Sequence, residues 1–330
     1  MTPSTSSPLG PAIDTHAHVY PAAYLDRLER IGVDPATTAI ARGLRADSTA
    51  ADLSERLRGM DAADVALQVL AVTPQAPAGP ERGPSLDAAR WINDEYARLV
   101  AAHPGRFLAY AALPLPHVEA ALDEIPRVAD ASGFVGFSLP TVLPGGLSPA
   151  DPRFDPVWAA LDERGAVVNL HATGSGARSD LITGHGLTWV NGAPVEDAIA
   201  VLHLLKVDVP GRFPRVRLHV AHLAGDLPFL ARRLEDNYED WGAFPSSPLG
   251  ALRRMWFDAA NFHEPSLALA AETLGADRLL AGSDHPYFQG AKYVRAFDYV
   301  RTSRLSGPDV RAVLAGNARA LYGPDAIMGA

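Results

Sequence analysis

Short apolar runs rich in β-branched and aromatic residues recur along the chain, each followed by a stretch with helical periodicity. The runs are "AIDTHAHV" (12–19), "VALQVLAV" (65–72), "RFLAYAALP" (106–114), "GFVGFSLPT" (133–141), "AVVNLHATG" (166–174), "VRLHVAHLAG" (216–225), "MWFDAAN" (255–261) and "RLLAGSDHP" (278–286). Between them lie amphipathic stretches such as "AADLSERLRGMDAAD", "SLDAARWINDEYARLVAAHP", "PVWAALDERG" and "EPSLALAAETLGAD". Most of these close on Gly or a Pro-containing turn, as helices do. Eight strand–helix alternations predict an α/β chain folded as a (β/α)8 TIM barrel. A doubly wound sheet is the competing architecture, but it usually places a Gly-rich phosphate turn after its first strand. Here that turn holds histidines.

No repeat and no linker-like change of composition divides the chain, so residues 12–330 are expected to form one barrel domain behind a mobile leader, residues 1–11. Two long connections, 20–55 and 173–200, would overhang the C-terminal face of a barrel, where substrates bind. The leader "MTPSTSSPLGP" has neither the basic nor the apolar region of a signal peptide. No apolar run has the length of a bilayer span. The expectation is a cytoplasmic enzyme with no membrane contact.

The composition removes several chemistries. A net charge of −9 argues against nucleic-acid binding. With no cysteine, disulfides, thiolate nucleophiles and iron–sulfur clusters are excluded, and a metal has only His and carboxylate ligands to use.

Two of the 11 histidines, His16 and His18, stand one residue apart in the first strand. Alternation turns both into the barrel and leaves Thr15 and Ala17 outward. Such a pair suits a divalent cation, although alone it is a weak signal. Three further residues end later strands: His171 after the fifth, His222 after the sixth and Asp284 after the eighth. Polar groups at the C-terminal ends of barrel strands meet over one site, and a buried strand has little structural use for them. His219, three before His222, is expected on the opposite face beneath a helix. His103 reads as a helix-ending turn. His117, His185, His203 and His263 read as structural or solvated, and His285 as a possible loop contact to substrate.

This order of residues resembles the amidohydrolase superfamily. The finer similarity is to the amidohydrolase-2 branch, which includes aminocarboxymuconate-semialdehyde decarboxylase and resorcylate-type decarboxylases. The stretches carrying it are "HPGRFLAYAALPLP", "GFVGFSLPT", "FPRVRLHVAHLAGDLPFLARRLE", "RLLAGSDHPY" and "GNARALY". The resemblance implies His16, His18, His171 and Asp284 as metal ligands, with His222 and Asp284 catalytic. The implied ion is zinc, with manganese also used in the family. Other branches bridge two metals through a carboxylated lysine on strand four. The only lysines here are Lys206 and Lys292, and Ser138 and Thr141 are the polar residues of that strand, so one ion is expected. The resemblance further implies Trp189, in "TWVNGAPVEDAIA", and Tyr287 at the substrate. It implies Arg42 and Arg45, in "IARGLRAD", as partners for a carboxylate, and Arg233 as an arm reaching across a homodimer. "AHLAG" departs by one methyl from the family's "AHLGG".

The implied activity is metal-dependent, non-oxidative decarboxylation of a small unsaturated or aromatic carboxylic acid. The same parts would also serve lactone or amide hydrolysis, or hydration. A barrel that binds a ligand without catalysis is the alternative from a different class.

Overall fold

The computed structural model describes residues 9–328, so most of the expected leader lies outside the described residues. Eight parallel strands pair in the order of the chain: β1 (Ala12–His18), β2 (Val65–Ala71), β3 (Phe107–Ala112), β4 (Phe134–Pro140), β5 (Val167–His171), β6 (Arg217–Val220), β7 (Trp256–Asp258) and β8 (Leu279–Leu280). The segment after β8 returns to β1 through Thr15 N–H to the Ala281 carbonyl, Asp284 N–H to the His16 carbonyl and His18 N–H to the His285 carbonyl. With helices between the strands, this is the (β/α)8 TIM barrel that the alternation predicts.

The barrel is filled from its floor upward. Ile13, Leu67, Val69, Leu108, Tyr110, Val167 and Leu280 form one buried interior cluster with Ala315, Ala318, Leu321 and Tyr322 of the C-terminal helices. A second apolar layer, between strands and helices, holds Tyr24, Tyr96, Phe107, Trp158 and Phe297, all at most 1% exposed. Several helices start on side-chain caps that the sequence supplies. Asp34 accepts the Ala36 amide ahead of Pro35, Thr49 accepts the Asp52 amide, and Ser306 accepts the Asp309 amide. No helix among the described residues is long and apolar enough to cross a membrane.

Two details of strand geometry differ from simple alternation. The register of β1 shifts between Asp14 and Ala17. Asp14 then accepts hydrogen bonds from Gln68, Ser283 and Tyr293, while the Thr15 hydroxyl turns to the Ala281 carbonyl instead of standing outward against the helices. A bulge of this kind re-aims a side chain without ending a strand. The second detail corrects His219. Its Nδ1 lies 2.8 Å from the Tyr110 hydroxyl of β3, across the barrel, and its Nε2 lies 3.2 Å from Asp258 of β7. His219 is therefore inside the barrel, not beneath a helix. β6 ends at Val220, and His222, Leu223 and Ala224 take left-handed φ values of 53°, 55° and 55°. Strand alternation does not continue to His222, so both histidines share the interior.

The long connections fold as helices. Residues 20–55 form Ala22–Arg30, Pro35–Arg42 and the start of Ala50–Ala62. Residues 173–200 form short turns, a π-helical turn Thr188–Gly192 and the start of Ala193–Lys206.

Leu321, fully buried in the floor, tests this packing. Leu321→Ala should lower unfolding free energy by about 2–5 kcal/mol in urea titration, with the slope unchanged. A loss below about 1 kcal/mol would mean that the C-terminal helices do not seal the barrel.

Candidate metal centre

Four imidazoles and one carboxylate meet at the C-terminal mouth. His16 and His18 come from the end of β1, and His171 is the last residue of β5. His222 and Asp284 lie on left-handed turns past β6 and β8. Left-handed backbone is costly for a residue with a side chain and is typical of positions that serve a site.

Each imidazole has its Nδ1 committed to an oxygen of the protein. His16 Nδ1 is 3.0 Å from Asp258 Oδ2, His18 Nδ1 is 3.2 Å from the Ala71 carbonyl, and His171 Nδ1 is 2.6 Å from the Ala172 carbonyl. His222 Nδ1 is 2.7 Å from Asp197 Oδ2. A carbonyl or carboxylate oxygen only accepts, so Nδ1 carries a hydrogen in each case, and when the ring is neutral its Nε2 carries the lone pair. Orienting acceptors of this type characterise metal-binding histidines.

The Nε2 atoms then converge. Those of His16 and His171 are 3.0 Å apart. Asp284 Oδ1 is 3.2 Å from Nε2 of His18 and 3.4 Å from Nε2 of His16. One donor atom from each of His16, His18, His171 and Asp284 lies within 4.8 Å of the others. Lone pairs facing one another at these separations repel unless a cation stands among them. A tetrahedral ion with bonds of about 2.0–2.1 Å holds its donors roughly 3.3–3.4 Å apart, close to the shorter separations here. The donor set fits one divalent ion. Ser138 and Thr141 occupy the strand-four positions, with no lysine, so nothing bridges a second.

The electrostatics agree. Burial works against a charged His16, yet Asp258 and Asp284 outweigh it and push its pKa up to about 10. Burial alone would raise Asp284, but its bonds to His16, His18 and His222 hold it well below the usual carboxylate range. The site thus has strong affinity for positive charge where the lone pairs meet. His222 stands to one side, its Nε2 3.7 Å from Asp284 Oδ2. Burial opposes its charge, and Asp197 with Asp284 overcomes that to hold it well above the ordinary imidazole range.

Two acids matter that the sequence reading did not single out. Asp258 accepts from His16 Nδ1 and His219 Nε2 through one oxygen, and from the His222 and Ala260 amides through the other. It ties a ligand, a left-handed turn and the interior histidine to one carboxylate. Asp197 orients His222. Its neighbour Glu196 accepts from the Thr141 and Thr173 hydroxyls and from the Thr173 and Gly176 amides, fixing the loop after β5. The signals available were an acid closing the β7 run and an acidic pair opening a helix. Neither type is specific without the fold.

A cavity of about 240 Å3 opens above His171, His222 and Asp284, walled by Trp189, Ala260, Phe262, Tyr287 and Phe288. Trp189 and Tyr287 stack at 6.1 Å between centroids, so both stand beside the expected ligands. The expected arginines do not. Arg42 pairs with Asp26 and Glu29 at 2.8 Å, and Arg45 reaches Glu55 at 2.7 Å with its side chain 62% exposed. Arg233 is exposed on the helix Leu227–Trp241. His285 packs edge-on to Tyr293 behind the mouth. His117, His203 and His263 bond to Gly79, Ser148 and Ser266, in keeping with structural roles.

The chain is 25% identical over 296 residues to 2-amino-3-carboxymuconate-6-semialdehyde decarboxylase of Dictyostelium discoideum, covering 83% of this chain and 81% of the relative. It is 28% identical over 293 residues to a gamma-resorcylate decarboxylase of a Rhizobium species, covering 81% and 86%. Among solved structures, dihydroxybenzoic acid decarboxylase of a Polaromonas species superposes with a TM-score of 0.81 at 22% identity, covering 95% of this chain and 97% of that one. That structure carries bound manganese and the inhibitor 2-nitroresorcinol. The amidohydrolase family model matches residues 13–323, nearly all of the barrel including the four expected ligand positions, and the chain belongs to the amidohydrolase family.

Proposed function

We propose that the protein is a metal-dependent, non-oxidative decarboxylase of a small aromatic or unsaturated carboxylic acid, with His16, His18, His171 and Asp284 holding a single Zn2+ or Mn2+ ion. The observation that carries this reading is the pairing of a one-ion donor set with a histidine, His222, set between Asp197 and Asp284 beside an aromatic-walled cavity. The relatives' decarboxylase activities favour it over hydrolysis or hydration, which the donor set alone would serve equally. Bound manganese in the Polaromonas structure supports that ion, whereas zinc rests on the three-imidazole, one-carboxylate donor set.

When bound, the divalent ion supplies positive charge that polarises the acid's oxygens and stabilises the charge developing as CO2 leaves. The chain's residues do the rest. Trp189 and Tyr287, stacked on one side, and Phe262 and Phe288 on the other, hold a planar acid and exclude water around it. His222, with its Nδ1–H donated to Asp197, presents Nε2 to the cavity. A proton delivered from Nε2 to the ring carbon bearing the carboxylate forms the new C–H bond. The C–C electron pair then returns to the ring as CO2 departs. Asp284 Oδ2 stabilises the imidazolium before transfer, and His222 recovers its proton from solvent. Asp197 and Asp258 act as positioning residues, since neither touches the cavity.

The same reading includes a homodimer. Phe229 and Trp241, each 78% exposed, share the helix of Arg233, and exposed aromatic side chains of this kind suit burial against a second copy. Light scattering at twice the chain mass would bear this out, and a monomer would refute it.

Incubated with hydroxybenzoate-type acids, the metal-loaded protein should release CO2 and a product one carbon shorter. Products of unchanged carbon count would favour hydrolysis or hydration. His222→Ala should retain about one ion per chain while turnover falls by about 10²–10⁴. His18→Ala should lose both ion and turnover, and wild-type turnover by either variant would remove that residue from the site.

A further inference from the structure

A second cavity, about 640 Å3, adjoins the metal pocket and shares Trp189 with it as a common wall. The loops after β2, β4 and β5 line it, together with Val33 and the helix Pro35–Arg42 of the 20–55 connection. Its walls are mostly apolar, contributed by residues such as Val33, Ile40, Val142 and Leu143, and no acidic residue lines it. In a chain of net charge −9, an acid-free apolar chamber beside the catalytic pocket is a distinctive electrostatic environment.

One cation lines this chamber. Arg178, an exposed side chain at its edge, forms no ion pair and no side-chain hydrogen bond among the described residues. By contrast, Arg42 and Arg45 both pair with carboxylates. The backbone presenting Arg178 is firmly set. Ala177 and Arg178 take left-handed φ values of 52° and 62°. The turn is closed by Arg178 N–H to the Ser175 carbonyl, and Glu196 pins it through the Gly176 amide at 2.6 Å. Buried Glu196 thus offsets the cost of two consecutive left-handed residues. Opposite, Gly146 at φ 74° leaves the space in which the guanidinium lies, and a Cβ there would collide with it. Gly174 does the same for Trp189, whose ring would stand 2.5 Å from an added Cβ. The hydroxyl of Ser175, on the same wall, is buried without a partner.

We infer that the outer chamber is a substrate subsite in which Arg178, assisted by the Ser175 hydroxyl, recognises a second anionic group of the acid. The substrate class that follows is an elongated, largely apolar acid. Its reacting end occupies the metal pocket, its body passes Trp189, and its far end carries a carboxylate or comparable anion. This rests on the reaction proposed above for the reacting end. It assigns to Arg178 the anion recognition that the sequence suggested for Arg42 and Arg45.

The test uses unreactive ligands, so it does not depend on turnover. The metal-loaded enzyme is titrated calorimetrically with a compact nitrophenol that fits the inner pocket. The same nitrophenol extended by a carboxyalkyl chain, and its uncharged amide, are titrated in parallel. The wild type should bind the extended acid at least tenfold more tightly than the amide. Arg178→Gln should abolish that advantage, a loss on the order of 10- to 100-fold, while Arg178→Lys should keep part of it. Ser175→Ala should cost a smaller factor. Equal affinity of acid and amide in the wild type would overturn the inference. So would Arg178→Gln weakening acid and amide alike, because that would show a folding effect and not anion recognition. If the charge preference appears but no acid releases CO2, the subsite stands and the proposed reaction falls.

Discussion

A neutral imidazole with its Nδ1–H given to a fixed acceptor can point only its Nε2 lone pair elsewhere, and at this barrel's mouth the Nε2 atoms of His16, His18 and His171 converge on one another and on Asp284. The acceptors are built into the walls. The Ala71 carbonyl belongs to β2, the Ala172 carbonyl follows β5, Asp258 closes β7 and Asp197 lies on the helix Ala193–Lys206. The repulsion is thus imposed by the scaffold and cannot be relaxed by turning a ring without breaking a buried hydrogen bond. A cation removes it. Asp258 shows how tightly the parts are joined, since one buried carboxylate sets the His16 ring and holds the turn that carries His222.

The same constraint separates roles among similar residues. His16, His18 and His171 have carbonyl or shared carboxylate partners and crowd Asp284. His222 has Asp197 to itself and stands farther from Asp284, and these two acids hold its pKa well above the ordinary imidazole range. Identity of side chain does not distinguish the proposed ligands from the proposed acid; the partner at Nδ1 and the distance at Nε2 do. In the loops above the mouth, Trp189 separates a compact aromatic pocket from a larger acid-free chamber.

Much of this was legible in the sequence, for physical reasons. Buried parallel strands are continuous apolar runs, so eight of them stand out, and a His or Asp closing such a run has no cheap structural explanation. That logic found His16, His18, His171, His222 and Asp284. It failed where strand geometry ended early. Alternation counted back from His222 puts His219 on the wrong face because the strand ends at Val220 and the next turn has positive φ, and the bulge in β1 turns Thr15 away from its alternation position. Asp197 and Asp258 were passed over because an acid at a helix start or strand end is ordinary until the fold brings it to a histidine. The arginines show the same limit in reverse. Arg42 and Arg45 had a suggestive position, but Asp26, Glu29 and Glu55 occupy them, and whether a guanidinium is free depends on which acids fold beside it.

The central claim is that three imidazoles and one carboxylate hold a single ion, each ring through Nε2. X-ray absorption spectroscopy of the zinc-loaded protein tests it most directly. The account predicts a shell of nitrogen and oxygen at about 2.0–2.1 Å with the outer-shell scattering of three imidazoles, reduced to two in His171→Ala. A fit needing fewer than three imidazoles in the wild type, or a second metal at about 3.5–4 Å, would contradict it.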